Sequence, residues 1–481
     1  MTDAIIIGAG LGGLGCAAKL ARAGLQVLVF EKNNHIGGTS AVFRRGPYLF
    51  PMGPLSFSFP GRVGRFLEEV GLGKGPAFRR NHFQLVSPHL DIIYSREFDG
   101  LRDELAKTFP SESRGIDDFF SELGGMIASL GGGDIAPEER QSWAASPAKD
   151  LLNRCGLRNP HLRALLGSQG TGAPSMSLLN LAIMWRAMSA EGIWFPEGGI
   201  DGLCRMLEKA VVEAEGEVRL GCGIEGIVVE NGRAVGVRIP DGGIVRANWI
   251  VSNVDYKTTV LDFLPPKAVP PSHLQAVDRV PYTESELCVY LGVKAGSVDL
   301  GRMRAPHLFF RREDRPATGD PEDFDNMEIE ICRWSENLAE AAPEGREALV
   351  LRVPFSYERV APWGKGDRVR GEGYKEYKSG LARKLIMTVE SVLPGLSRST
   401  EVLETATPLT YRDWGRRRFG SIAGWTWTAE AGAGLGGPFL VRTPVPNLLA
   451  VGIYAARELV YGGVPTALHT ADLAADAVLE G

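Results

Sequence analysis

The stretch Ala4-Ile5-Ile6-Ile7-Gly8-Ala9-Gly10-Leu11-Gly12-Gly13 decides how the rest of the chain is read. Its unbroken apolar run has the character of a buried parallel strand, and the glycines turn it into a helix patterned on Leu14, Ala17, Ala18 and Leu20. Gly24 supplies the helix stop. A second strand over residues 26–30 then delivers Glu31 to its carboxyl end, about 20 residues past the glycines, where an acid accepts both hydroxyls of a ribose. Gly8 serves the tight turn, Gly10 the close approach of a pyrophosphate, and Gly13 the packing of helix on strand. Leu11 and Gly12 open the helix, whose N-terminus completes an anion site. A GxGxxG alone is often a glycine-rich turn; strand, turn, helix, second strand and terminal acid together make a dinucleotide site.

The fingerprint continues through Lys32, Asn33, Asn34, His35 and Ile36 to Gly37-Gly38, with Thr39 and Ser40 following. This resembles the ExxxxxGG extension of FAD enzymes of the glutathione-reductase-like class, which set the glycine pair against the pyrophosphate. The implied cofactor is FAD rather than NAD.

Length and charge bound the remaining choices. With 481 residues the chain has room for two or three folding units and a deep cofactor cleft. A net charge of -5 argues against a nucleic-acid partner, and the cluster Arg416-Arg417-Arg418 reads as a solvated surface turn. Six cysteines without a CxxC pair indicate neither zinc nor a redox disulfide, and seven histidines show no paired metal spacing, so no metal is expected. Reduced thiols fit a cytoplasmic location. The N-terminal apolar run lacks a basic flank and is needed for the nucleotide fold, so it is not read as a signal peptide. No apolar run is long enough to span a membrane, which leaves peripheral contact at its inner face open.

The expected fold is α/β: a Rossmann-like FAD-binding domain built discontinuously from residues 1–60, 193–254 and 419–481, with an α+β substrate domain inserted as 61–192 and 255–418. In the middle segment, Trp194-Phe195-Pro196-Glu197-Gly198-Gly199 leads into a helix. Short strands follow at 218–220, 224–229, 234–239 and 244–247, with Asn231-Gly232 and Asp241-Gly242 at hairpin positions, and a buried parallel strand at 249–253. The last segment places a strand before Gly452 and an alanine-rich helix after Gly462-Gly463-Val464-Pro465. The run Gly432-Ala433-Gly434-Leu435-Gly436-Gly437 repeats the first hexapeptide. It lacks a preceding strand and is followed by Pro438, so it reads as a loop and no second nucleotide site is expected.

The residues 8–40, 192–203, 221–237 and the C-terminal PNLLAVG and GGVPTALHTADLAAD together resemble the flavin-containing amine-oxidase-like superfamily. Within it they are similar to the branch of carotenoid desaturases, carotene isomerases and retinol saturases. The resemblance implies that Glu31 binds the ribose, Ile224 the adenine, and Gly452-Ile453 the pyrophosphate and ribityl chain. It also implies that Val464 and Pro465 begin a helix facing the pyrimidine edge of the flavin, where its dipole favours negative charge. Gly53 and Pro54 lie where relatives pass the flavin, and the apolar segment 49–60 suits either a hydrocarbon cavity or ordinary core. Three positions depart from the family pattern: Thr39 in place of an arginine, Pro51 in place of an acid, and Ile453 in place of an acidic or small residue.

The resulting expectation is a flavin-dependent oxidoreductase acting on carbon–carbon bonds of an apolar isoprenoid or polyene, with the flavin N5 as hydride acceptor. Desaturation, saturation and isomerisation would share this architecture, and oxygen or a quinone would serve as electron acceptor. Sequence adjacency nominates Tyr454, Arg457, Glu458 and Tyr461 as substrate neighbours. An amine oxidase is the second reading, with Trp425 and Trp427 as members of an aromatic cage. A non-catalytic prenyl-binding chaperone of the GDP-dissociation-inhibitor type is the third; the intact Glu31, glycine pair and GGVP argue against it.

Overall fold

Apolar residues on both faces of one strand demand cover on both sides, and the first strand obtains it. In β1 (Thr2–Ile7), Ala4 and Ile6 join one hydrophobic core while Ile5 and Ile7 join another, as the two-residue period of a strand requires. A computed structural model of the chain describes residues 2–94, 98–132, 135–170, 175–313, 319–428, 437–458 and 461–481. The run 432–436 of the repeated hexapeptide lies outside the described residues.

β1 pairs in parallel with β2 (Val27–Phe30), which pairs with β3 (Glu217–Arg219). β4 (Gly226–Glu230), β5 (Arg233–Arg238) and β6 (Ile244–Ser252) form an antiparallel meander, and β6 also runs parallel to β1 and to β7 (Leu448–Ala450). The sheet order is β4-β5-β6-β1-β2-β3, with β7 on β6. Where the sequence suggests separate strands at 244–247 and 249–253, the structure has one. Its first half is largely exposed or partly buried against β5, and its last three residues, Ile250, Val251 and Ser252, are buried as it enters the core beside β1.

Helices α1 (Leu11–Arg22), α2 (Gly199–Glu213) and a later C-terminal helix cover one face of this sheet. Gly15 lets α1 pack closely on the C-terminal helix and on the helix Pro60–Glu69: a Cβ there would meet Leu468 at 3.1 Å and Phe66 at 3.2 Å. A second seven-stranded sheet contains the strands Glu286–Lys294, Arg346–Pro354, Ile329–Arg333 and Thr400–Ala406, among others. One of its faces packs on the core of the first sheet through Cys288, Tyr290, Val350 and Cys332; the other is covered by the helix Tyr374–Glu390. Helices between residues 98 and 185 form a third core around Phe119, Phe120 and Trp185. Among the described residues no helix is long and apolar enough to cross a membrane.

Candidate functional site

The carboxyl ends of β1, β2, β6 and β7 open onto one cleft, the place where an open parallel sheet binds its ligand. Its cavity measures about 330 Å³. Gly8 (φ +96°) makes the turn out of β1, and a Cβ at Gly13 would fall 2.1 Å from the Gly8 carbonyl oxygen, so only glycine lets α1 start there. No side chain caps α1, whose first-turn N–H groups face the cleft.

Glu31, buried at the end of β2, accepts the Ala9 N–H on one carboxylate oxygen and the Asn33 N–H on the other, both at 2.9 Å. The pair Gly37-Gly38 adopts left-handed backbone (φ +94° and +57°), and the Gly37 N–H donates to the Ala9 carbonyl at 2.7 Å, fastening the second glycine motif to the first. Lys32 reaches across to donate to the Asp413 carbonyl; burial, followed by the neighbouring charge of Arg416, lowers its ammonium to a pKa of about 8.

Of the residues the sequence nominates for the cofactor, Gly8, Gly10, Leu11, Gly12, Glu31, Lys32, Gly37, Gly38, Thr39, Ser40, Gly53, Pro54, Ile224, Gly452, Ile453, Gly463 and Val464 all line this cleft. Gly13 stands behind it in the packing role expected of it. Pro465 does not reach it: it is buried as the third residue of α4 (Gly463–Leu479), whose Gly463, Val464 and Ala467 face the cavity instead.

The substrate nominations fare less well. Tyr454 lines the cleft, its hydroxyl 2.7 Å from Ser421 Oγ. Trp425 is buried behind it, donating its indole N–H to the Tyr454 carbonyl. The two tryptophans suggested for a cage do not form one on the cleft: Trp425 is buried, with the Lys257 ammonium 5.9 Å from its ring, and Trp427 is exposed. Glu458 is buried in ion pairs with Arg140 and Arg457, and Tyr461 lies under the Arg62 guanidinium against Phe59 and His469. Neither of these two side chains lines the cleft. Within the segment 49–60, Met52, Gly53 and Pro54 reach the cavity, whereas Phe50, Leu55 and Phe57 are core.

Sequence reasoning misses three groups. Asn253 lies above the glycine turn: a Cβ at Gly10 would come 2.7 Å from its Nδ2, and one at Gly12 2.8 Å from its Oδ1. The polar pair Ser252-Asn253 that closes the apolar run of β6 is the signal that marks it. The second group forms the far wall, where the Tyr411 hydroxyl donates to Glu286 at 2.6 Å and Arg352 sits 3.8 Å from the same carboxylate while donating to the Gly53 carbonyl. Burial opposes the charge on Arg352, but Glu286 and Glu330 outweigh it and hold the guanidinium protonated. An arginine within the otherwise apolar alternation 348–353 is the available clue.

The third group corrects an expectation. Arg416 is exposed as expected, but Arg417 is half-buried; the two follow α3 (Pro408–Gly415), which roofs the cleft with Tyr411 and Trp414, and both line the cavity. A second cavity of about 330 Å³ shares Asn33, Gly38, Thr39, Met52, Tyr411 and Trp414 with the first and extends it toward Phe43, Tyr290 and Ala406. Among the described residues no cluster of His, Cys, Asp and Glu is arranged to hold a metal ion.

A glycine cradle, an anion-ready helix terminus and a fixed acid beside them define a nucleotide-binding redox fold, and the chain belongs to the family of flavin containing amine oxidoreductases, whose model matches residues 11–479. It is a flavin-dependent enzyme of the oxidoreductase class. Chloroplastic prolycopene isomerase of Daucus carota is 26% identical over 486 residues, covering 94% of this chain and 76% of that protein. The zeta-carotene-forming phytoene desaturase of Myxococcus xanthus is 25% identical (99% and 93% covered), and all-trans-retinol 13,14-reductase of Danio rerio 23% (94% and 82%). The fold is shared with cyclohexylamine oxidase from Brevibacterium oxydans IH-35A, at a TM-score of 0.64, 15% identity and coverage of 100% and 99%.

Proposed function

We propose that the cleft binds FAD and that the enzyme acts on carbon–carbon bonds of an apolar polyene. The observation carrying this reading is the alignment of at least 94% of the chain with relatives whose names specify a carotene isomerase, a carotene desaturase and a retinol reductase. The residues fit the dinucleotide: Gly10, Gly12 and Gly53 line the cleft where a Cβ would clash with Asn253 or with the Thr39 carbonyl, and Glu31 stands preset for the ribose. When bound, the flavin supplies hydride acceptance or donation at its N5. The chain's own part is to orient: Ile224 for the adenine, Gly452 and Ile453 for the ribityl chain, Gly463, Val464 and the N-terminus of α4 for the pyrimidine edge. Glu286, held by Tyr411 and Arg352, is the acid on the substrate-facing wall. The apolar extension at Phe43, Met52 and Tyr290 gives room for hydrocarbon.

In this reading residues 1–60, 193–254 and 419–481 form the FAD domain, supported by the origin of every strand of the first sheet, and 61–192 with 255–418 the substrate domain. An apolar substrate favours peripheral contact with a membrane and oxygen or a quinone as electron acceptor. The amine-oxidase reading is disfavoured by the tryptophans suggested for its cage, since Trp425 is buried behind Tyr454 and neither it nor Trp427 lines the cleft. Anaerobic mixing of the FAD-loaded protein with phytoene and with retinol, following the visible flavin band and the polyene by chromatography, tests the proposal. Conversion of a polyene is expected; inertness toward polyenes combined with flavin bleaching by putrescine or aromatic amines, and with peroxide release from them once air is admitted, would contradict it.

A further inference from the structure

We propose that Arg417 is a cofactor-binding residue, the cation that neutralises the pyrophosphate of the bound dinucleotide. The inference rests on the FAD reading above and adds a residue that no glycine or acid motif contains. Three neutral acceptors aim its guanidinium: Nη2 donates to Thr39 Oγ1 at 2.8 Å, and Nη1 to the carbonyls of Ile422 at 2.9 Å and Ser421 at 3.4 Å. Thr39 directly follows the left-handed pair Gly37-Gly38, and Gly38 packs on Gly10, where a Cβ would come within 3.4 Å. The fork is therefore pinned one residue from the turn at which α1 begins.

Many half-buried arginines are matched by acids: Arg352 with Glu286 and Glu330, Arg333 with Glu347, Arg370 and Arg412 with Asp413, Arg418 with Asp262 and Arg140 with Glu458. Others without an acid among the described residues, Arg62, Arg80 and Arg186, lie against the rings of Tyr461, Trp194 and Phe59 away from the cleft, whereas Arg417 is half-buried on the cleft itself. Among the described residues Arg417 makes no ion pair. The acids sharing its cleft are engaged elsewhere, Glu31 by two backbone N–H groups, Glu286 by Tyr411, and Asp255 by the Tyr282 hydroxyl and the N–H groups of Thr258 and Arg418. A fixed guanidinium lined up with a helix N-terminus, with Arg416 beside it and Lys32 on the same cavity wall, is an excess of positive charge that an anionic ligand offsets. Phosphate oxygens match the fork; the uncharged isoalloxazine does not.

The test compares FAD with riboflavin, which carries the ring and ribityl chain but no phosphate, by flavin-fluorescence titration of the flavin-stripped protein. Arg417→Gln keeps an amide able to donate to the same acceptors and removes only the charge. Loss of a charge-assisted hydrogen-bonded pair predicts FAD binding weaker by about tenfold or more, with riboflavin binding unchanged, and Arg417→Lys in between. The wild-type protein gives an independent reading without any substitution: its FAD affinity falls with added salt, and its riboflavin affinity does not. Equal FAD affinity in Arg417→Gln and wild type, or parallel losses for FAD and riboflavin, would overturn the assignment. A wild-type protein that binds neither flavin would instead overturn the reading on which it rests.

Discussion

Both oxygens of the Glu31 carboxylate already accept a backbone N–H, from Ala9 and from Asn33, so the acid is set before any ligand arrives. Glu31→Ala strands two buried donors, and the expected cost is about 1–3 kcal/mol of stability in urea unfolding of the flavin-stripped protein, together with loss of FAD from the purified protein. Lys32 carries a pH signature. Its ammonium, lowered to a pKa of about 8 by burial and Arg416, is partly deprotonated above that pH when the cleft lacks an anion; a bound pyrophosphate raises it again, so binding takes up a proton. FAD affinity should therefore be highest below about pH 8 and decline as pH rises through it, and Lys32→Met should flatten that limb of the titration. An affinity independent of pH from 7 to 9.5 in the wild type would refute this role. Trp425 makes an opposite point about aromatic residues: with Trp427 it reads in sequence as a binding cage, but the structure buries one ring and exposes the other, neither on the cleft.

The elements differ in how far sequence reveals them. β1, α1 and β2 are contiguous, and their glycines have local reasons to be glycine, so the unit can be read from one short stretch with its ends nearly in place. β6 shows the limit: one strand serves an antiparallel meander and a parallel core in turn, and the change of pattern between its halves mimics two strands. The roof of the cleft is the least legible part. α3 announces itself by a capping box, in which the Thr407 hydroxyl accepts the Thr410 N–H and the Thr410 hydroxyl accepts the Thr407 N–H, but nothing local says which residues it will cover. The aim of Arg417 depends on Thr39, 378 positions earlier, and Glu286 meets Tyr411 across 125. Composition patterns decay over a few turns; such pairings are set by sheet topology. Thr407→Ala should cost about 0.5–2 kcal/mol as a lost N-cap, and because the frayed helix carries Tyr411, Trp414 and the arginine strap, it should also release FAD faster in stopped-flow dilution. Unchanged release with the full stability loss would mean that the roof does not hold the cofactor.

At the scale of the molecule, the cleft is a joint product of two sheets. The first presents four strand ends, the glycine turns and two helix N-termini, all suited to phosphate, ribose and the reduced ring. The second presents a wall whose charged groups neutralise one another, Glu286 and Glu330 against Arg352, with the phenol of Tyr411 closing the set. That division accounts for motifs concentrated in the glycine-rich segments, while the intervening stretches that form the second sheet and the far wall of the cleft carry few. The central claim is that the cleft at the end of β1 holds a flavin dinucleotide, and the most direct measurement is to denature the purified protein and identify the released chromophore by mass and absorbance, against protein concentration. One FAD per chain, lost on Glu31→Ala and restored to the stripped wild type by added FAD, is the predicted result. A colourless protein that FAD cannot reconstitute, or one that releases a nicotinamide nucleotide, would contradict it.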